Sequence, residues 1–231
     1  MRIGILGTGN LATALGAAWV RAGHDVVVGG RSHEKAAAAA AAMGAGTVTG
    51  DPGRGGTATG GTARAGATPA EAVAGQDAVL LAVTWTGVPD ILRAAGAAGG
   101  ALSGTVLIDP VNAVDHGVGE HLVADGRAAA EHIAELAPGA HVVKAFHLFP
   151  ADQWSPGRAP VTVPIAGDDE AALHTAAGLV RDAGAEPAAV GPLRRARQLE
   201  EAAGLVIALV FAGHDPGAAV PHVPARATAR A

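Results

Sequence analysis

Arg2-Ile3-Gly4-Ile5-Leu6-Gly7-Thr8-Gly9-Asn10-Leu11-Ala12 is the stretch whose reading decides the fold. Its first five residues form a short apolar run suited to a buried parallel strand, and the run empties directly into glycines. An Ala-rich helical pattern follows from Ala12 to Ala22 and stops at Gly23, after which His24-Asp25-Val26-Val27-Val28 reads as a second strand. Strand, tight turn, helix and strand within about 30 residues make the unit whose G-x-G-x-x-A turn receives a dinucleotide. Gly7 permits the turn, Gly9 lets the backbone approach a pyrophosphate, and Ala12 lets helix and strand pack closely. The diphosphate then rests on unpaired N–H groups at a helix start. With 34 glycines in 231 residues the motif also arises by chance, so its weight comes from context: it follows a strand and opens a helix.

The end of the second strand points to the kind of dinucleotide. An NAD site carries Asp or Glu there for the ribose 2′-hydroxyl, whereas an NADP site removes that charge and supplies a cation. Here the strand ends Gly29-Gly30-Arg31-Ser32-His33, and Asp25 stands at its wrong end to replace the missing carboxylate. Arg31 can stack on adenine or fork onto a 2′-phosphate, with Ser32 as a further donor, or it is an ordinary solvated charge. The strand end favours NADP.

Composition sets the outer limits. A chain of 231 residues can bury a substantial core. A formal charge of −5 without a basic cluster argues against nucleic acid or an anionic membrane surface as partner. Without cysteine there is neither a disulfide nor a thiolate nucleophile, and no run of ~20 apolar residues is present to span a bilayer. The opening residues read as a strand and not as a signal peptide, so a cytoplasmic enzyme with a small-molecule substrate is the expectation. Tyrosine is absent and lysine occurs only at Lys35 and Lys144, which excludes any Tyr-Lys proton relay.

Further along, Glu34 to Met43 reads as a helix, and Gly44 to Ala67 as a long Gly/Thr-rich loop around a possible short strand at Thr47 to Thr49. Thr68-Pro69-Ala70-Glu71 is a capped helix start. Two apolar strands, Ala78 to Val83 and Thr105 to Ile108, end in Thr84-Trp85 and Asp109-Pro110-Val111-Asn112. Ligands gather outside the carboxyl ends of such strands. Trp85 is therefore placed to meet a nicotinamide or planar substrate, or else packs in the core. Asp109 or Asn112 could hydrogen-bond a carboxamide or ribose, or form routine turns.

Gly119 to Leu136 has a helical pattern, and His141 to Phe146 reads as a strand leading into Phe146-His147-Leu148-Phe149, with Trp154 just beyond. His147, the titratable ring at that strand end, is the candidate for a substrate hydrogen bond or proton donation, with a structural histidine as the other reading. His116, His121 and His132 lack the company of a metal site, and none is expected. A strand from Val161 to Ala166, a helix to Asp182, a short strand at Pro187 to Val190 and a final helix from Arg194 to Phe211 complete the pattern. The fold class is α/β: a Rossmann-type, doubly wound, mostly parallel sheet with a small C-terminal helical extension. Residues 1–150 are expected to form the NADP-binding domain, 151–213 a C-terminal α/β extension, which the family resemblance given below sets over the active site and dimer interface, and 214–231 a loose tail.

Gly7-Thr8-Gly9-Asn10, the Val-Val-Val-Gly-Gly-Arg strand end, Val83-Thr84-Trp85, Asp109-Pro110-Val111-Asn112, Val143-Lys144-Ala145-Phe146-His147, Ala166-Gly167-Asp168-Asp169 and Gly191-Pro192-Leu193-Arg194-Arg195-Ala196-Arg197 occur in that order. Together they resemble the NADPH-dependent F420 reductase family, and a similar module forms the cytoplasmic domain of the STEAP metalloreductases. The resemblance implies NADP(H) along Gly7, Thr8, Gly9, Asn10, Leu11 and Arg31. It puts the nicotinamide near Val83, Trp85, Ala145 and His147, and Thr84 and Asn112 are further cofactor-binding candidates. It also implies coenzyme F420 as co-substrate, its deazaflavin ring stacked on the nicotinamide, and a homodimer built through the C-terminal helices. Thr84 stands where the family often has Pro, the 44–67 segment is long, and Glu200-Glu201 charges a helix that is often apolar.

Hydride transfer between two parallel rings about 3–3.5 Å apart needs positioning more than acid or base. A ketone reductase needs a proton donor for the forming alkoxide, and only His147 stands as one. The scarcity favours a ring acceptor or an iminium, which takes hydride without an oxyanion. Two alternatives stay open: an NADPH-dependent reductase of a small imine or other pathway intermediate, and a non-redox NADP-binding protein.

Overall fold

The computed structural model of the chain describes residues 1–44, 60–115 and 117–221. The expected short strand at Thr47 to Thr49, His116 and the tail beyond residue 221 lie outside the described residues.

The opening motif folds as read: β1 (Arg2–Leu6), α1 (Asn10–Arg21) and β2 (Asp25–Gly29). α2 (His33–Gly44), β3 (Ala63–Ala65), α3 (Pro69–Val73), β4 (Ala78–Leu81), α4 (Val88–Ala94), β5 (Val106–Asp109), α5 (Ala129–Leu136) and β6 (His141–Lys144) follow. β7 (Thr162–Gly167), α6 (Glu170–Asp182), β8 (Glu186–Gly191) and α7 (Ala196–Phe211) complete the chain. Among the described residues all eight strands join one sheet in the order β3-β2-β1-β4-β5-β6-β7-β8, parallel except where β7 meets β6. The chain leaves β1 in one direction through β2 and β3 and returns through β4 in the other. That reversal opens a crevice between the carboxyl ends of β1 and β4.

Both faces of the sheet are covered, as parallel strands require. Ile3, Ile5, Val26, Val28 and Leu80 pack with Leu15, Trp19 and Met43 on one side. Leu6, Val79, Leu81 and Leu107 pack with Ile91, Leu92 and Ile133 on the other. The strands β7 and β8 extend the same sheet, and Ile165, Leu179 and Val180 join the first of these clusters. The indole N–H of Trp19 donates to the Leu179 carbonyl at 2.9 Å, tying α1 to α6.

Two segments differ from expectation. The pattern from Gly119 to Leu136 yields helix only from Ala129, because Gly119 and Gly126 take positive φ and break the repeat. Gly119 also lies so close to Gly204 of α7 that a Cβ there would overlap its carbonyl oxygen. Within the segment read as loop, Ala63–Ala65 forms the edge strand β3; Ala-Arg-Ala carries no apolar alternation to announce it. It pairs beside Thr62, whose N–H and hydroxyl both donate to Asp25 at 3.1 and 2.7 Å.

The aromatic stretch after β6 is core. Phe146 is buried edge-on to Trp19 (centroids 6.0 Å) and Trp154 (5.1 Å), and Trp154 meets Phe149 at 6.0 Å. Phe146 holds φ at +63°, the only described non-glycine residue in the left-handed region, a conformation kept only when the surroundings enforce it. Replacing Phe146 with Ala should lower unfolding free energy by about 3–5 kcal/mol, read from urea denaturation, because the cavity lies between three packed elements.

Candidate functional site

The crevice is shaped first by glycine. Gly7 stands at φ +129°, its N–H donates to the Gly29 carbonyl at 2.8 Å, and a Cβ there would overlap the Ala82 carbonyl oxygen. Gly9 is the N-cap of α1, without a side-chain cap, and the place of its missing Cβ has no atom within 4 Å. The first intrahelical bond runs from Thr13 N–H to the Gly9 carbonyl, so the N–H groups of Asn10, Leu11 and Ala12 precede the ladder and face outward from a positive helix end.

Two hollows flank this turn. One, of about 180 Å³, is lined by Gly7, Thr8, Gly30, Arg31 and the start of α4. The other, of about 330 Å³, is lined by Gly9, Asn10, Leu11, Trp85 and Pro110 to Asn112. They share Ala82, Val83 and Thr84, so they form one cleft across the switch point. A separate hollow of about 350 Å³, between the end of α1, Trp154 and Asp182, shares no residue with the cleft.

At one end of the cleft Arg31 is exposed, and its guanidinium has no partner among the described residues. Ser32 accepts the Lys35 N–H at 3.3 Å and caps α2, leaving its own O–H to donate. At the other end Trp85 both lines the cleft and packs on Val123 and Ala129, so its two readings coexist. Asn112 donates its amide N–H to the His147 carbonyl at 2.7 Å, and its buried Oδ1 has no partner. The structure thus gathers Gly7, Thr8, Gly9, Asn10, Leu11, Arg31, Val83, Thr84, Trp85 and Asn112 around one cleft. Ser32, Ala145 and His147 do not line it: Ala145 and His147 are buried behind the Asn112 turn.

Behind that turn lies a feature the sequence did not announce. Lys144 and its two carboxylate partners, Asp109 and Glu200, are wholly enclosed. The ammonium meets Asp109 at 3.1 Å, Glu200 at 3.0 Å and the Val111 carbonyl, which uses all three of its N–H groups. Asp109 in turn accepts the Val111 N–H at 2.8 Å, so it serves this network and does not face the cleft. Glu200 also accepts from Ala129 and Ala130 at the start of α5 (2.8 and 3.1 Å) and from His121 Nε2 at 3.0 Å. His121 Nδ1 accepts the Val123 N–H, so Nε2 carries the proton it donates.

Burial pushes the Asp109 carboxyl above the usual carboxylate range, and the nearby Lys144 only partly opposes it. Burial pushes Glu200 upward too, but Lys144, the Ala129 N–H and His121 together hold it below that range. His147 is 5% exposed with both ring nitrogens unpartnered, and burial, reinforced by the Lys144 charge, holds its pKa well below the ordinary 6.5. It is a neutral ring at pH 7. The signals for the network were one of only two lysines placed inside an apolar strand, and a glutamate on an apolar helix.

Fold and cleft define a Rossmann-like α/β protein with its ligand site at the β1/β4 switch point. Residues 2–113 match the family described as NADP oxidoreductase, coenzyme F420-dependent. The metalloreductase STEAP3 of Rattus norvegicus is 28% identical over 201 residues, 86% of this chain and 36% of that protein. The chain therefore spans about a third of that relative's length. A protein of Arthrobacter sp. FB24, provisionally described as an F420-dependent NADP-reductase, superposes with a TM-score of 0.70 at 24% identity over 93% of this chain and 96% of its own. An imine reductase of Streptomyces aurantiacus does so at 0.62 and 20% identity, covering 92% and 64%. These two likenesses are of fold. Among the described residues no group of side chains could hold a metal ion, and no helix is long and apolar enough to cross a membrane.

The depressed His147 pKa fixes the sign of a pH effect. Below 6.5 the unfolded chain binds a proton at this position that the folded chain refuses, so stability falls as pH drops, by up to about 1.4 kcal/mol per pH unit. His147→Phe should flatten that slope between pH 7 and pH 5 in urea titrations; an unchanged slope would show that the ring protonates equally in both states.

Proposed function

We propose that the chain binds NADP(H) along the cleft and moves a hydride between its nicotinamide and a planar acceptor of the deazaflavin class, coenzyme F420 or a close analogue. The observation that carries this reading is the cleft's sequence of groups: an unpartnered guanidinium at Arg31, bare helix N–H groups beside the open face of Gly9, and an unpartnered amide oxygen at Asn112. They suit a 2′-phosphate, a diphosphate and a carboxamide N–H₂ in that order.

NADPH, when bound, supplies the hydride. The chain's residues bind and orient: Arg31 takes the 2′-phosphate, α1 the diphosphate, Asn112 Oδ1 the carboxamide, and Trp85 walls the ring's pocket. His147, neutral and behind the turn, offers no imidazolium proton to an alkoxide, which accords with a ring or an iminium acceptor. The exposed Leu205, Val210 and Phe211 of α7 suit a second copy of the chain, as in the homodimer the resemblance implies.

Arg31→Glu should weaken NADPH about a hundredfold while changing NADH by severalfold at most, by calorimetric titration. Equal losses would take Arg31 out of the phosphate site. Gly9→Val should abolish binding of both nucleotides with an unaltered circular dichroism spectrum; normal titration would refute the diphosphate position. NADPH consumption followed at the nicotinamide absorbance with a deazaflavin, a cyclic imine and a ketone separates the acceptor classes, and turnover with the imine alone would overturn the deazaflavin assignment.

A further inference from the structure

We infer that Glu200, on the C-terminal helix, is a positioning residue of the cleft's nicotinamide end, acting through Lys144 on the turn from Asp109 to Asn112. The inference rests on the NADP(H) reading of the cleft. Val111 and Asn112 line the larger hollow. The Val111 residue is clasped at both of its backbone polar groups: its N–H by Asp109 at 2.8 Å and its carbonyl by Lys144. Asn112, one residue on, has its N–H₂ side committed to the His147 carbonyl, so its orientation follows the backbone of this turn.

Which partner fixes which is decided by the other contacts. Lys144 reaches the network on a flexible stem, and among the described residues its ammonium meets only Asp109, the Val111 carbonyl and Glu200. Glu200 is held independently of Lys144, by two backbone N–H groups of α5 and by His121. The carboxylate is thus the anchored member, and the ammonium is placed by it. Without that anchor Lys144 keeps a buried N–H lacking an acceptor, and the clasp on Val111 loses its fixed point. The Arg31 end is built from β2 and the start of α2 and touches none of these groups.

The effect should therefore fall on one end of the cleft. Calorimetric titrations with NADPH and with adenosine 2′,5′-bisphosphate, which keeps the phosphorylated adenosine half and lacks the nicotinamide half, read the two ends separately. Glu200→Gln is expected to weaken NADPH about tenfold and leave the bisphosphate within about twofold. The triple variant Asp109→Asn, Lys144→Met, Glu200→Leu removes the three buried charges together and keeps an acceptor for the Val111 N–H, so it keeps the test open if Glu200→Gln does not fold; the same split is expected of it. Equal weakening of both ligands, or no weakening of either, would overturn the inference. A wild-type chain that binds neither ligand would overturn the NADP(H) reading itself, and is distinguishable because no variant is needed to see it.

Discussion

An ammonium with no access to water is the constraint around which the second half of this protein is arranged. Lys144 ends the strand β6, in the middle of an apolar sheet, and a charge there is tolerable only if every N–H finds an acceptor. Asp109 arrives from the neighbouring strand in direct register with it, and the Val111 carbonyl from the turn that follows. Glu200 must come from a helix more than fifty residues later. Satisfying one side chain thus fixes the relative placement of β5, β6, α5 and α7, and with them the wall of the cleft beyond the switch point.

The two ends of the cleft obey different physics. On the β1–β2 side the shape comes from backbone freedom: Gly7 makes the turn, Gly9 leaves space, and the helix start presents N–H groups that no described residue uses. On the β4–β5 side it comes from a buried polar lattice that grips one turn and leaves one amide oxygen, that of Asn112, unpaired. The first side is assembled from contacts close in sequence, the second from contacts that span up to 91 residues, Asp109 to Glu200, through the shared lysine.

That division explains what could be read from the chain and what could not. The β1-α1-β2 unit, the Thr68 cap and the apolar strands ending at Trp85 and Asn112 are local patterns of period and punctuation, and they fold as read, as does the mostly parallel sheet. The edge strand at Ala63–Ala65 escaped because three short residues carry no periodic signal; it is defined by its neighbour β2. The helix before Leu136 was overestimated because Gly119 pays for a backbone crossing with Gly204 that sequence spacing does not reveal. Asp109 looked like a ligand contact because it stands at a strand end, yet its partner is a residue whose proximity only the register shows. The charge of Glu200, odd on an apolar helix, acquires its reason from the same source.

The profile shared with the reductase family stops at residue 113, short of both Lys144 and Glu200, whereas the likeness to the rat metalloreductase runs over 201 residues. A gene fragment cut to the shorter stretch would carry Asp109 into a fold without its counter-ion. A unit of this architecture that balances its own interior therefore reaches to α7, because Asp109 lacks a cation without Lys144 and Lys144 lacks an acceptor without Glu200.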